Sequence, residues 1–127
     1  MVPRLCIALI GLAVIAAPAM AGPDEIFGNW SRGDGAARVK VAPCGSGNIC
    51  ATNIWIKDPV SQKEKVGDKL IFTIKAADEE WAGSAYDPQR KLKLSAKLKA
   101  NGDSMVTTGC IIGGLICRST QWARLSQ

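Results

Sequence analysis

The 127 residues carry 16 Lys and Arg against 11 Asp and Glu, a net charge of +5, with five Cys, four Trp and no His. Without histidine the commonest general base at neutral pH is missing, and so is the usual nitrogen ligand of zinc. A chain of this length supports one domain and no second core.

The first element is an expected export leader over residues 1–21. Arg4 gives a weakly positive start, Cys6 to Ala17 is an almost unbroken apolar run, and Ala19-Met20-Ala21 offers the small residues read by a signal peptidase. The run is shorter than the roughly 20 residues of a membrane-spanning helix, so cleavage after Ala21 is favoured over an uncleaved anchor. The remainder, residues 22–127, reads as one exported domain with no stable membrane insertion after cleavage.

Beyond the leader the periodicity is that of strands. Expected strands follow at Phe27–Arg32, Ala36–Pro43, Asn48–Ile56, Lys69–Ala76, Glu80–Tyr86, Lys91–Ala100, Ser104–Ile112 and Leu115–Leu125. Val39 and Val41 alternate with Arg38 and Lys40, and Leu70, Phe72 and Ile74 share a face. Leu92, Leu94, Ala96, Leu98 and Ala100 oppose Lys91, Lys93, Ser95, Lys97 and Lys99. Strict alternation marks a half-buried antiparallel strand. The lysine row reads as its solvated outer face, not as a nucleic-acid stripe. Asn48 to Ile56 is more uniformly apolar, as expected of a strand covered on both sides or near a barrel seam.

Glycine-bearing turns punctuate these runs, Asn101-Gly102 being a strong hairpin signal. Pro59 to Val66 is the one stretch polar enough for a longer loop or helical turn. Eight short strands at hairpin spacing predict an all-β fold, a sandwich or a small antiparallel up-and-down barrel. The barrel is preferred because closure removes both exposed edges.

Four cysteines follow the leader and permit three pairings. The local one, Cys44 with Cys50 and Cys110 with Cys117, places each bridge across a glycine turn, Gly45/Gly47 and Gly113/Gly114. Chain entropy assigns each such loop about 2.4 kcal/mol. The spacing suits neither a zinc site nor a two-intervening-residue redox motif, so no metal and no cofactor are expected.

Chemistry is sparse. No serine has a recognisable catalytic partner, and a hydrolase would require Asp34, Glu80 and Asp87 to meet in space; no enzymatic activity is expected. Trp30 and Trp122 read as packing, whereas Trp55 and Trp81, with Tyr86, are candidates to line a ligand-binding mouth.

Gly28-Asn29-Trp30, Cys44 to Cys50 followed by Ile54-Trp55-Ile56, the run Trp81 to Pro88, Gly109-Cys110, and Cys117 to Arg124 occur in an order that resembles the bacterial DUF2147 family of exported proteins without an assigned function. The resemblance spans nearly the whole expected domain and implies a lipocalin-like, calycin-type barrel. It also implies that Gly28 and Trp30 on the first strand meet an arginine of the last strand stacked on the indole. Arg124 is the first choice and Arg118 the second. Where the family often has a glycine-containing turn after Tyr86-Asp87-Pro88, this chain has Gln89-Arg90-Lys91.

The expectation is a periplasmic or secreted barrel that binds a small apolar ligand. An envelope protein-interaction or inhibitor module acting through Asp58–Lys65 is the alternative, and a carboxylate hydrolase is the third reading. Neither nucleic acid nor a particular oligomeric state is implied.

Overall fold

The computed structural model describes residues 25–126; the leader expected over residues 1–21 and its cleavage point lie outside them. The described chain forms eight strands: β1 Gly28–Arg32, β2 Ala37–Gly45, β3 Asn48–Ile56, β4 Lys69–Ala77, β5 Glu80–Asp87, β6 Leu92–Asn101, β7 Ser104–Ile111 and β8 Ile116–Arg124. A single helical turn, α1 Pro59–Gln62, lies in the β3–β4 connection. Asp58 caps it by accepting from the Ser61 amide at 3.3 Å, with Pro59 at its first turn.

Each strand pairs antiparallel with its neighbour in sequence. β1 meets β8 through Trp30↔Arg124, Ser31↔Ala123 and Arg32↔Trp122, which closes the barrel. Alternation does what a half-buried sheet requires: Ala37, Val39 and Val41 are buried while Arg38 and Lys40 are exposed, and Ala96 and Leu98 are buried while Ser95, Lys97 and Lys99 are exposed. Gly83 allows β5 to approach β4, because a Cβ there would run into the Thr73 carbonyl.

β3 is neither covered on both sides nor next to the β1–β8 seam, the two expectations for it. A bulge separates the Arg38↔Trp55 pair from Val39↔Asn53, leaving Ile54 as the extra residue. Ile49, Ala51 and Asn53 therefore follow one face, while Ile54 and Trp55 are exposed. Cys50, pointing the other way, is buried beside its disulfide partner Cys44 rather than by a second layer.

Strand direction assigns each connection to one of two ends. One end holds the β2–β3, β4–β5 and β6–β7 turns and the segment Glu25–Phe27; it is filled by Ile26 and Trp30, both fully buried. The other holds the β1–β2 turn, the β3–β4 connection and the β5–β6 and β7–β8 turns, and is open. The Cys44–Cys50 bridge staples the β2–β3 hairpin at the closed end, with Cα atoms 5.6 Å apart. Cys110–Cys117, with Cα atoms 4.0 Å apart, staples β7–β8 at the open end.

Candidate functional site in the barrel mouth

The open end leads into a cavity of about 250 Å³ inside the barrel. Its base is apolar, made by inward residues such as Val41, Ala51, Phe72, Leu94, Leu98 and Met105. Its collar is polar: Arg32, Asn53, Glu64, Asp87, Thr107 and Thr120 ring the mouth. Trp122 forms one wall, and its Nε1 donates to Thr107 Oγ1 at 3.0 Å, so indole and threonine are fixed together.

Arg32 organises one side of the collar. Its guanidinium donates to Glu64 at 3.1 Å and to Asp34 at 3.0 Å, tying the end of β1 to the β3–β4 connection. Burial lowers the Arg32 pKa, but the two carboxylates outweigh it and hold it above its ordinary value. Asn53 Nδ2 reaches Glu64 at 3.4 Å and the Lys65 carbonyl at 3.3 Å.

Asp87, only 6% exposed, organises the other side. It accepts from the amides of Gln89 and Arg90 at 3.0 and 3.1 Å, from Gln89 Nε2 at 2.7 Å and from Arg90 Nη1 at 2.9 Å. Burial pushes its pKa up, but these donors, Arg90 first among them, leave it below the ordinary aspartate value. Arg90 also donates to the Lys63 carbonyl at 3.1 Å, and Gln89 bridges both backbone groups of Lys69. The Asp58–Lys65 segment, the contact loop of the alternative reading, is thereby tied across the mouth from two sides.

Asp87→Asn keeps the shape and removes the charge that four donors face. It is expected to lower stability by about 1–3 kcal/mol at pH 7. The folded pKa lies below the unfolded one, so this contribution is complete above the unfolded value near 4 and is lost as pH falls through the folded value. Urea unfolding at pH 7 and near pH 3 checks both parts: the two proteins should differ at the first and converge toward the second.

The residues expected to form a ligand mouth are not brought together. Trp55 points outward beneath Arg38, whose guanidinium lies 4.9 Å from the ring centre. Tyr86 is exposed on the outer face of β5. Trp81 is buried in the core near the closed end, and its Nε1 is, among the described residues, the buried side-chain polar atom left without a hydrogen-bond partner. None of the three lines the cavity. Asp34, Glu80 and Asp87 are not gathered either, because Glu80 begins β5 at the closed end, 3.9 Å from Lys97. Among the described residues no group of three or more Cys, Asp or Glu side chains is placed to hold a metal ion.

At the closed end the Arg124 guanidinium lies 4.2 Å over the Trp30 ring. It donates to the carbonyls of Phe27 and Glu25 at 2.8 and 2.7 Å, while Trp30 Nε1 donates to the Ile26 carbonyl at 3.0 Å. Gly28 has φ +126°, and a Cβ there would stand 3.0 Å from Arg124 Nη1. Arg118, by contrast, is exposed near the mouth.

Sequence reasoning passed over the collar. Thr107 follows Met105 on the inward face of β7 and Thr120 precedes Trp122 on that of β8, and a polar residue at an inward step is the signal that would have found them. No curated protein and no solved structure shows a significant match to the chain. The family model described as an uncharacterized protein conserved in bacteria (DUF2147) matches residues 28–124, the whole barrel from the first strand residue to the last, and the chain belongs to that family.

Proposed function

We propose that the protein is an exported, periplasmic binder of a small amphipathic molecule, non-enzymatic, with the ligand's apolar body in the barrel and its polar end at the collar. The observation that carries this reading is the cavity itself: apolar below, polar above, and open at one end. Small-molecule sites have this make-up, a mostly apolar concavity with a few convergent polar groups. The two disulfides, the bacterial family and the leader composition support export.

Volume limits the ligand. An engineered cavity of about 150 Å³ accepts benzene. A space of about 250 Å³ therefore suits a body of roughly eight to ten carbons. Arg32, Asn53, Thr107 and Thr120 supply donors and acceptors for a carboxyl or hydroxyl head.

The test is calorimetry, with tryptophan emission in parallel, on a chain-length series of fatty acids and alcohols. Trp122 walls the cavity and should report occupancy. Medium chains should bind best, and Ala51→Phe, which projects a ring into the base, should weaken binding about tenfold or more. Absence of heat and of emission change across the series, with the barrel intact by circular dichroism, would remove the carrier reading.

A further inference from the structure

We infer that the open end of the barrel docks on an anionic bilayer surface, with the stapled β7–β8 hairpin dipping its tip into the interfacial layer. This goes beyond the ligand reading and stands without it.

The tip runs Ile111-Ile112-Gly113-Gly114-Leu115-Ile116 between the bridged Cys110 and Cys117. Ile112 is 64% exposed, Leu115 81% and Ile116 55%. Three large aliphatic side chains presented to water within five residues contribute little to the core, and such a cluster marks a surface that is covered in use. Ile112 also sits at φ +53°, a left-handed conformation that a β-branched residue adopts only under strain. Glycine or asparagine would fit that turn better, and the barrel gains little burial from isoleucine there. A residue that breaks the local rule without a packing return points to a function outside the fold.

The rest of the tip is built to hold its shape. Gly113 and Gly114 take positive φ, the Leu115 amide donates to the Ile112 carbonyl at 3.1 Å, and the disulfide locks the hairpin immediately behind. β8 has no β1 partner before Gln121, which accepts from the Gly33 amide, so the hairpin stands free of the wall on that side. Val60 and Val66, also exposed, lie on the same end in the β3–β4 connection.

Charge selects the occupant. Between Ser104 and Gln127 there is no Asp or Glu, and Arg118 is exposed close behind the tip. Lys93 borders the same depression as Ile112 and Gly113. Lys63, Lys65 and Lys91 stand on neighbouring connections of this end, where Asp34, Glu64 and Asp87 are paired with Arg32 and Arg90 and Asp58 and Asp68 accept from backbone amides; the closed-end turns carry Asp78, Glu79 and Asp103. The open end thus offers an apolar point beside an excess of cations over carboxylates, complementary to an anionic lipid surface. The wall itself is unsuited to hydrocarbon, since β6 turns Lys93, Lys97 and Lys99 outward. Among the described residues no helix is long and apolar enough to cross a membrane. Docking this way sets the cavity mouth against the lipid headgroups.

Co-sedimentation of the exported, oxidised protein with vesicles tests the inference. Phosphatidylcholine vesicles containing one quarter phosphatidylglycerol should bind the protein, and pure phosphatidylcholine vesicles should bind it much less. Ile112→Ser with Leu115→Ser should lower partitioning about tenfold or more, with near-ultraviolet circular dichroism unchanged because both side chains are exposed. Lys93→Glu with Arg118→Glu should erase the preference for anionic lipid, as should salt that shortens the Debye length to about 3 Å. Ala51→Phe should dock normally, which separates this surface from the cavity. A wild-type protein that stays in the supernatant with anionic vesicles, or tip variants that sediment as well as wild type, would overturn the proposal. So would loss of free protein traced to self-association or to a protein partner at the tip instead of lipid.

Discussion

Trp30→Ala should lower the stability of the barrel by about 3–5 kcal/mol, the range for a large aromatic lost from a core. Trp30 is fully buried, and three separate restraints meet on it. Its indole plugs the closed end beside Ile26, its Nε1 holds the Ile26 carbonyl at 3.0 Å, and its face carries the Arg124 guanidinium at 4.2 Å. Alanine leaves a cavity, frees one buried carbonyl and removes the surface that positions a cation. Arg124 in turn ties Glu25 and Phe27 to β8 and donates to the Gly102 carbonyl at 3.3 Å, so the entry segment, the β6–β7 turn and the β1–β8 seam share one hub. Arg124→Leu alone should destabilise, and the Trp30/Arg124 double-mutant cycle should return a coupling of about 0.5–2 kcal/mol. Gly28→Ala should also destabilise, because it places a Cβ 3.0 Å from Arg124 Nη1 at a φ of +126°. Chemical denaturation of the set measures these effects. Additivity within error between Trp30→Ala and Arg124→Leu would show that the stacked geometry contributes nothing of its own.

Strand number, order and ends were legible because each strand of an up-and-down barrel needs only its own alternation and a turn on either side. Lys91–Ala100 reads as Leu92–Asn101 in the structure, and Glu80–Tyr86 as Glu80–Asp87. Local disulfides were legible for the same reason: both bridges join residues that one hairpin already brings together. The ligand site was much less legible. Trp55 shares a two-residue rhythm with Ala51 and Asn53, and only the bulge at Ile54 sends it outward; nothing in the composition of that segment announces the bulge. Tyr86 is a different case. It lies five positions from Trp81 in one strand, so the two cannot face the same way, and their parity alone argued against a shared mouth. The collar depends on pairs far apart in sequence, such as Arg32 with Glu64 and Arg90 with the Lys63 carbonyl. Those pairs exist because closure places the β1–β2, β3–β4 and β5–β6 connections on one rim, and no local pattern encodes that meeting.

Reduction of both disulfides should cost about 5 kcal/mol, the sum of two chain-entropy terms of about 2.4 kcal/mol for loops whose half-cystines are six and seven positions apart. Against a typical domain stability of about 5–15 kcal/mol, that loss leaves the reduced barrel marginal or unfolded. The two bridges should not behave alike in function. Cys44–Cys50 braces the end that Trp30 already fills, whereas Cys110–Cys117 fixes a hairpin that has no β1 partner over its outer half. Cys44→Ser with Cys50→Ser should therefore lower the denaturation midpoint and leave vesicle partitioning of the folded protein near its wild-type value. Cys110→Ser with Cys117→Ser should lower both, because a loosened tip must be ordered again when it meets the bilayer. Urea unfolding of the two double variants, paired with co-sedimentation under conditions where each is folded, separates the contributions. Equal partitioning by both would mean that the open-end bridge serves the stability of the barrel and not the shape of the tip.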